Sequence, residues 1–493
     1  MMRRLRPLSL AAAALAVALT SLAGCTDEPS SAPRPSGTPS TRPAPTGPMP
    51  TATPAGQHVL GLKWNWSQLA TLDYAADTGG GSTFAEVEWC AVEPVEGQRD
   101  WTRSDAIVRR SEQLDHEVML KIRTGQCWAT EPPLPGIPDR TEVVSKTPST
   151  PPVDEVAYEQ FVTELVRRYA AMGVHTYAVE NEPDVFNFWA GEIDDYEQLV
   201  RLAAPVIRAA DPQAKLLEAG LSSTGYGVVL AQELSDAGDA DGALEAYLDY
   251  YGRRMAGGAS RWAPVSDTAR LAQVLASEPA VRAREVFDAA TRLVEDGVVD
   301  VYQLHFYERT SELPGLLGMV RSRIGDAPIE AWEVGVAWPG DGYDADEAAA
   351  ETTRLVATLL ADGVARVVYL PLAYTPGNTP QVFRGLVEES GEVLPAGESF
   401  RVLADLLLAR TKRELHRVDD GTGLRGVVID RGPKGEAAVV WAGSGTEPLE
   451  LEDGESAADH RGRPLEAPLE VGAEPVILTT DGASLVRRLT TTG

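Results

Sequence analysis

Two stretches carry residue types suited to acid-base and nucleophilic chemistry. Tyr177-Ala178-Val179-Glu180-Asn181-Glu182-Pro183-Asp184 is an apolar run that ends abruptly in an Asn-Glu-Pro step. Pro183 cannot donate to a strand ladder and pushes the residue before it out of the helical region, so the spacing predicts Glu182 where a strand gives way to a loop. Far downstream, Ala327-Pro328-Ile329-Glu330-Ala331-Trp332-Glu333-Val334-Gly335 reads as a second short strand with Glu333 near its end. Strand ends are where barrel enzymes keep their reacting groups, and two glutamates there can divide the roles of general acid and nucleophile. Glu180 and Glu330 are read as structural. Alternation could turn Glu180 inward with Glu182, whereas Glu330 precedes Glu333 by an odd step and is expected to face a helix or solvent.

Positioning such a pair needs a scaffold, and its elements are legible. Strand-like runs at Val59 to Trp66, Thr83 to Trp89, Val118 to Arg123, Thr176 to Glu182, Lys215 to Leu221, Val299 to Tyr307, Ile329 to Val336 and Arg366 to Leu372 alternate with helical patterns. The helices are predicted at Tyr158 to Met172, Asp194 to Ala210, Ala280 to Asp296, Ala345 to Asp362 and Phe400 to Leu408. Parallel strands joined by crossover helices, eight in all, point to an α/β fold of the (β/α)8 TIM-barrel type over residues 58–410. A long insertion from Tyr226 to about Glu278 is expected to shape one rim of the site. From residue 411 to 493 the pattern becomes short alternating runs such as Gly426-Val427-Val428-Ile429 and Ala437-Ala438-Val439-Val440-Trp441, separated by Gly, Asp and Pro. That predicts a C-terminal all-β sandwich domain, packed on the barrel because no linker precedes it.

Residues 1–24 pair early arginines with an Ala-rich apolar stretch too short for a confident span, which is the make-up of a secretion signal. Leu22-Ala23-Gly24-Cys25 resembles the lipobox of bacterial lipoproteins, which implies lipidation at Cys25 and anchoring to the outer face of the cell membrane. Residues 25–57 are rich in Pro, Ser, Thr and Ala, with nothing to build a core, and read as an extended tether. With 73 acidic against 44 basic residues and a net charge of -29, nucleic acid and polyanions are excluded as partners, and neutral ones are favoured. Of the three cysteines, Cys90 and Cys127 follow adjacent predicted strands in an oxidising setting, so a bridge is expected, with two separate buried thiols as the alternative.

The ordered set Asn181-Glu182-Pro183, His305-Phe306-Tyr307 and Pro328-Ile329 leading to Glu333-Val334-Gly335 resembles the signatures of the clan A retaining glycoside hydrolases. The early Val92-Glu93-Pro94 with Gly97 and Asp100-Trp101 extends the match, and the added β domain makes the β-xylosidase and α-L-iduronidase-like family the nearest, the cellulase-like family second. The resemblance implies hydrolysis of a β-linked glycan or glycoside through a covalent glycosyl-enzyme, with Glu182 as acid/base and Glu333 as nucleophile. It further implies Asn181 as a donor to the sugar 2-hydroxyl and Tyr307 as a partner of the nucleophile. The chemistry agrees: cleavage through an oxocarbenium-like transition state needs one protonated and one ionised carboxyl. Trp64, Trp338 and Tyr374 fall at or beyond strand ends and are candidate sugar platforms, with burial in the core as their other reading. Arg123 ends a strand and is expected to meet either the substrate or a carboxylate. His305 is expected to line a subsite or orient the nucleophile. Where clan A enzymes carry a tryptophan after the eighth strand, this chain has Tyr374, which leaves the sugar open. Six histidines without metal-ligand spacing give no expectation of a metal, and no cofactor is implied. A transglycosylase of the same fold and a non-catalytic glycan-binding lipoprotein remain alternatives, the latter disfavoured because pure binding does not need both glutamates.

Overall fold

The computed structural model describes residues 53–55, 59–64, 69–78, 81–135, 148–256, 262, 264–338, 342–374, 383–408, 413–418, 423–482 and 484–490. Cys25, Trp66 and the whole signal segment lie outside these residues. Eight strands form one parallel sheet: β1 (Leu60–Leu62), β2 (Gly81–Glu88), β3 (His116–Arg123), β4 (Thr176–Val179), β5 (Lys215–Leu217), β6 (Tyr302–Phe306), β7 (Ile329–Val334) and β8 (Arg366–Tyr369). Their order is β5-β4-β3-β2-β1-β8-β7-β6, and parallel bridges Leu217–Val301 and Leu221–Leu304 join the two ends, closing a barrel. Gly61 is required where β1 meets β2, because a Cβ there would lie 2.1 Å from the Ser82 carbonyl oxygen.

The barrel interior is a packed layer to which the strands contribute Phe84, Met119, Ala178, Leu217, Val301, Trp332 and Val368. One layer lower, Glu330 accepts from Lys215 Nζ (2.7 Å) and from the Trp332 indole (2.8 Å), and pairs with Arg366 (3.4 Å). Glu330 therefore points into the barrel, not toward a helix or solvent as its odd spacing from Glu333 implied. The reason is a β-bulge. Leu304 pairs with Ala331 while His305 pairs with Glu333, so the ladder skips Trp332 and simple alternation fails beyond it. Both Trp332 and Glu333 can then serve the interior, and the bulge turns the carboxylate into the barrel mouth.

Helices Glu155–Ala170, Ile193–Ala210, Glu278–Glu295, Ala345–Ala361 and Pro395–Leu407 surround the sheet, matching the predicted ones within a few residues at each end. Asp154 caps the first by accepting from the N–H groups of Val156 and Ala157, and Asp344 caps the fourth in the same way. The insertion is helical, with Ser223–Asp236 and Ala240–Ala256 packed as a hairpin followed by Thr268–Leu275.

The C-terminal part is built from a seven-stranded antiparallel sheet and a separate pair, Glu447–Leu449 with Leu469–Val471. Alternation assigns its two faces. Val427, Ile429, Ala437, Val439 and Trp441 join the barrel's core, while Val428, Ala438, Val440 and Leu478 pack with Leu449, Leu469 and Val471. The module is thus fused to the barrel through a shared core. Thr53–Ala55, inside the stretch expected to be tether, is an edge strand of this sheet, paired with Arg413–Arg417.

Candidate active site

Asn181 and Glu182 sit just beyond β4, where the chain leaves the ladder in an unusual conformation. Glu180 and Glu182 both have positive φ, 69° and 40°, a region that costs a non-glycine residue about 1–3 kcal/mol. The turn separates neighbouring side chains. Glu180 stays buried, accepting from the Thr124 N–H (2.7 Å) and lying 3.7 Å from Arg123 Nε, whereas Glu182 Oε1 reaches His305 Nδ1 at 2.9 Å. Burial pushes the Glu180 carboxyl up to about 7 against the pull of Arg123. The following loop is clamped from outside: the buried Arg282 guanidinium donates to the carbonyls of Pro183 (3.0 Å), Trp189 (2.9 Å) and Gly191 (3.1 Å). Asp184 ties the same loop to β5's, accepting from Ser222 N (2.9 Å) and Oγ (2.5 Å).

Opposite stands Glu333, oriented by donors from β3 and from the end of β6. Lys121 Nζ donates to its Oε1 at 2.7 Å, and the Tyr307 hydroxyl to its Oε2 at 3.3 Å. Lys121 also donates to Asn181 Oδ1, so one ammonium joins the ends of β3, β4 and β7. Tyr307 is itself held by the insertion: its N–H donates to Ser223 Oγ (2.9 Å), which donates to Glu308 (3.1 Å), which accepts from Arg254 (2.6 Å).

Oxygen atoms of Glu182 and Glu333 and a ring nitrogen of His305 all lie within 4.8 Å of one another. Each glutamate side chain keeps 12% of its surface open, while Lys121 and His305 keep none. Burial raises the Glu182 carboxyl above the ordinary glutamate range; the His305 hydrogen bond opposes this and the charge of Glu333 adds to it. The three residues have donor types that could ligate a divalent ion. The Lys121 ammonium, 2.7 Å from Glu333 and 3.3 Å from His305 Nε2, already supplies positive charge at that spot and would repel one.

The other predicted site residues fall elsewhere. Arg123 is fully buried in an ion cluster with Glu86 (3.3 Å), Glu88 (3.5 Å) and Glu180, a structural role. Trp64 is a core residue whose indole donates to His116 Nδ1 at 3.2 Å, at the start of β3 and thus away from the mouth. Trp338 is half-buried beyond β7, bonded to the Gly342 carbonyl, edge-on to Tyr343 and faced by Arg253. Tyr374 lies in a two-residue strand paired with Val387–Glu388; its side chain is outside the described residues. Cys90 and Cys127 are bridged, with Cα atoms 5.5 Å apart, and join the segments that follow β2 and β3.

Lys121 was not anticipated. A signal for it existed: it shares inward parity with Met119 and Arg123, and a lysine inside the apolar run Val118-Met119-Leu120-Lys121-Ile122 needs a buried partner.

No family profile and no curated protein matches the chain. Among solved structures, it is similar to a family 39 glycoside hydrolase from Bacteroides cellulosilyticus WH2, at 14% identity and TM-score 0.53 over 86% of this chain and 82% of that one. It is similar also to a family 39 β-xylosidase from Caulobacter crescentus (14% identity, TM-score 0.52, 87% and 98% covered) and to a glucosidase from Croceicoccus marinus (11%, 0.53, 87% and 96%). Likeness at these identities speaks to architecture, and the chain shares the fold of these glycoside hydrolases.

Proposed function

We propose that the chain is a retaining glycoside hydrolase that acts on a β-linked glycan or glycoside, exported and held to the cell membrane by a lipid at Cys25. The observation that carries this reading is the carboxyl pair at the barrel mouth, with oxygens within 4.8 Å. Retaining enzymes place their two carboxyls about 5–5.5 Å apart, whereas inverting ones need roughly 6.5–9.5 Å to admit a water. The two environments support a division of roles. Glu333, given a cation and a hydroxyl donor, is the ionised nucleophile, and Glu182, buried beside that charge, is the acid.

Glu333 attacks the anomeric carbon as Glu182 protonates the departing oxygen; the carbon–oxygen bond to the leaving group breaks and a glycosyl ester to Glu333 forms. Glu182, now a carboxylate, takes a proton from water, which attacks the same carbon and frees Glu333. Asn181 accepts Lys121 at Oδ1, which leaves its amide NH2 as the group to donate to a sugar hydroxyl. The test is a pair of variants. Glu333→Ala should form no glycosyl-enzyme, while Glu182→Ala should retain turnover of dinitrophenyl glycosides and be accelerated by azide. Wild-type rates in both variants on a genuine substrate would refute the assignment.

A further inference from the structure

Behind the Glu182–His305 contact lies a second layer of hydrogen bonds. Gln303 is fully buried on β6, two residues before His305 and on the same face. Its side-chain NH2 donates to the Glu218 carbonyl (2.5 Å), and its Oε1 lies 2.9 Å from His305 Nε2. A backbone carbonyl only accepts, so the amide cannot be turned round: NH2 must face Glu218, and Oε1 must face the imidazole. Glu218 is fixed in turn, its carboxylate accepting from the N–H groups of Gln303 (2.5 Å) and Gly220 (2.6 Å). Gly220 closes the pocket, since with φ 78° a Cβ there would come within 2.5 Å of His305 Nε2.

Because Gln303 Oε1 only accepts, His305 Nε2 must carry a hydrogen. The charged groups around the ring come from β3, β4, β5 and β7: Lys121 at 3.3 Å from Nε2, Glu182 at Nδ1, Glu218 behind Gln303, and Glu333 at 3.9 Å from Nε2. Lys121 is the weaker neighbour of Nε2, at 3.3 Å against 2.9 Å for Gln303 Oε1, and two of its three hydrogens are directed to Glu333 and Asn181.

We infer that Gln303 is a positioning residue which, by fixing the hydrogen on His305 Nε2, obliges the Glu182–His305 pair to hold one proton between Nδ1 and Oε1. This rests on the reading of Glu182 as acid/base. With Nε2 protonated, the 2.9 Å contact is satisfied either by O–H to a bare Nδ1 or by N–H from an imidazolium to a carboxylate. The proton-free alternative sets a carboxylate against a nitrogen lone pair. In the glycosylation step that proton leaves Glu182 for the departing oxygen, after the carboxyl turns about its Cγ–Cδ bond. The bare carboxylate then faces the lone pair, which makes it a better base toward the incoming water, and the water's proton restores the pair. Without Gln303 the ring can adopt the Nδ1–H form and stabilise a Glu182 carboxylate with no added proton.

Two measurements test this. In [15N]histidine-labelled protein, with only six histidines to assign, the nitrogen shifts of His305 should show Nε2 protonated throughout the active pH range. A neutral Nδ1–H ring in the wild type would overturn the inference, whether or not the chain proves to be a glycosidase. In Gln303→Leu the Nδ1–H form should become populated, and the alkaline limb of kcat/KM should move down by roughly one pH unit. Alkyl glycosides, whose leaving groups need the proton, should lose on the order of tenfold more rate than dinitrophenyl glycosides. Equal losses on both substrates with an unmoved limb would mark Gln303 as merely structural. If Gln303→Leu does not fold, the wild-type nitrogen shifts decide alone. Failure of the function reading would instead appear as absent turnover beside an intact Nε2–H signature.

Discussion

Replacing Lys121 by methionine keeps the length and volume of the side chain while removing the ammonium that touches the proposed nucleophile. Lys121 is fully enclosed and its Nζ lies 2.7 Å from Glu333 Oε1. Removing one partner of a buried ion pair costs about 3–5 kcal/mol, because the other charge is left uncompensated. Glu333 keeps the Tyr307 bond and a small opening to water, which places the effect at the lower end. That cost falls on folding stability and is read as a lower melting midpoint, while the rate lost with one preorganised charge donor at a reacting group is on the order of a hundredfold. The assay is kcat/KM on the dinitrophenyl glycoside that the wild type cleaves fastest, since that leaving group bypasses the acid and isolates attack by Glu333. Thermal melting of the variant separates a lost nucleophile from a lost fold. A variant that melts like wild type and stays within about threefold of its rate would refute the role assigned to Lys121 and weaken that of Glu333.

Arg282→Met should lower kcat by on the order of tenfold, because three carbonyls of the loop after Glu182 lose their donor and the acid loses its fixed position; steady-state kinetics of a folded variant checks this. The Cys90–Cys127 bridge should appear as one linked peptide in mass spectra of the unreduced protein. With its cysteines 37 residues apart in sequence, its loss should cost about 4 kcal/mol in the chain-entropy model, read as a lower midpoint of denaturation. Cys25→Ala should release the protein from the cell envelope with unchanged turnover, and continued membrane retention would contradict the lipoprotein proposal.

The barrel was legible because its strands are short apolar runs flanked by helix-period segments, and all eight lie inside or overlap the predicted ranges. The predicted β4 ran long at its C-terminal end, to Glu182, whereas the ladder stops at Val179 and Glu180 and Glu182 take positive φ. Glu182 and Glu333 were readable from Pro183 and from strand-end position. Local pattern could not supply the β7 bulge, which changes the direction of Glu330 and Glu333 through pairing with β6 and β8. Nor could it separate Lys121 from Arg123, two cations of one parity on one strand. The first meets Glu333 from β7, and the second meets glutamates of β2 and β4, a difference that exists only once the barrel closes.

The configuration of the first product decides whether Glu333 is the nucleophile. Proton NMR of a running hydrolysis resolves the two anomers before mutarotation mixes them, and a glycosyl-enzyme on Glu333 requires two displacements at the anomeric carbon. Two displacements release the first sugar with the β configuration of the bond that was cut. An α product on first turnover would mean a single displacement by water, and would contradict Glu333 as the nucleophile.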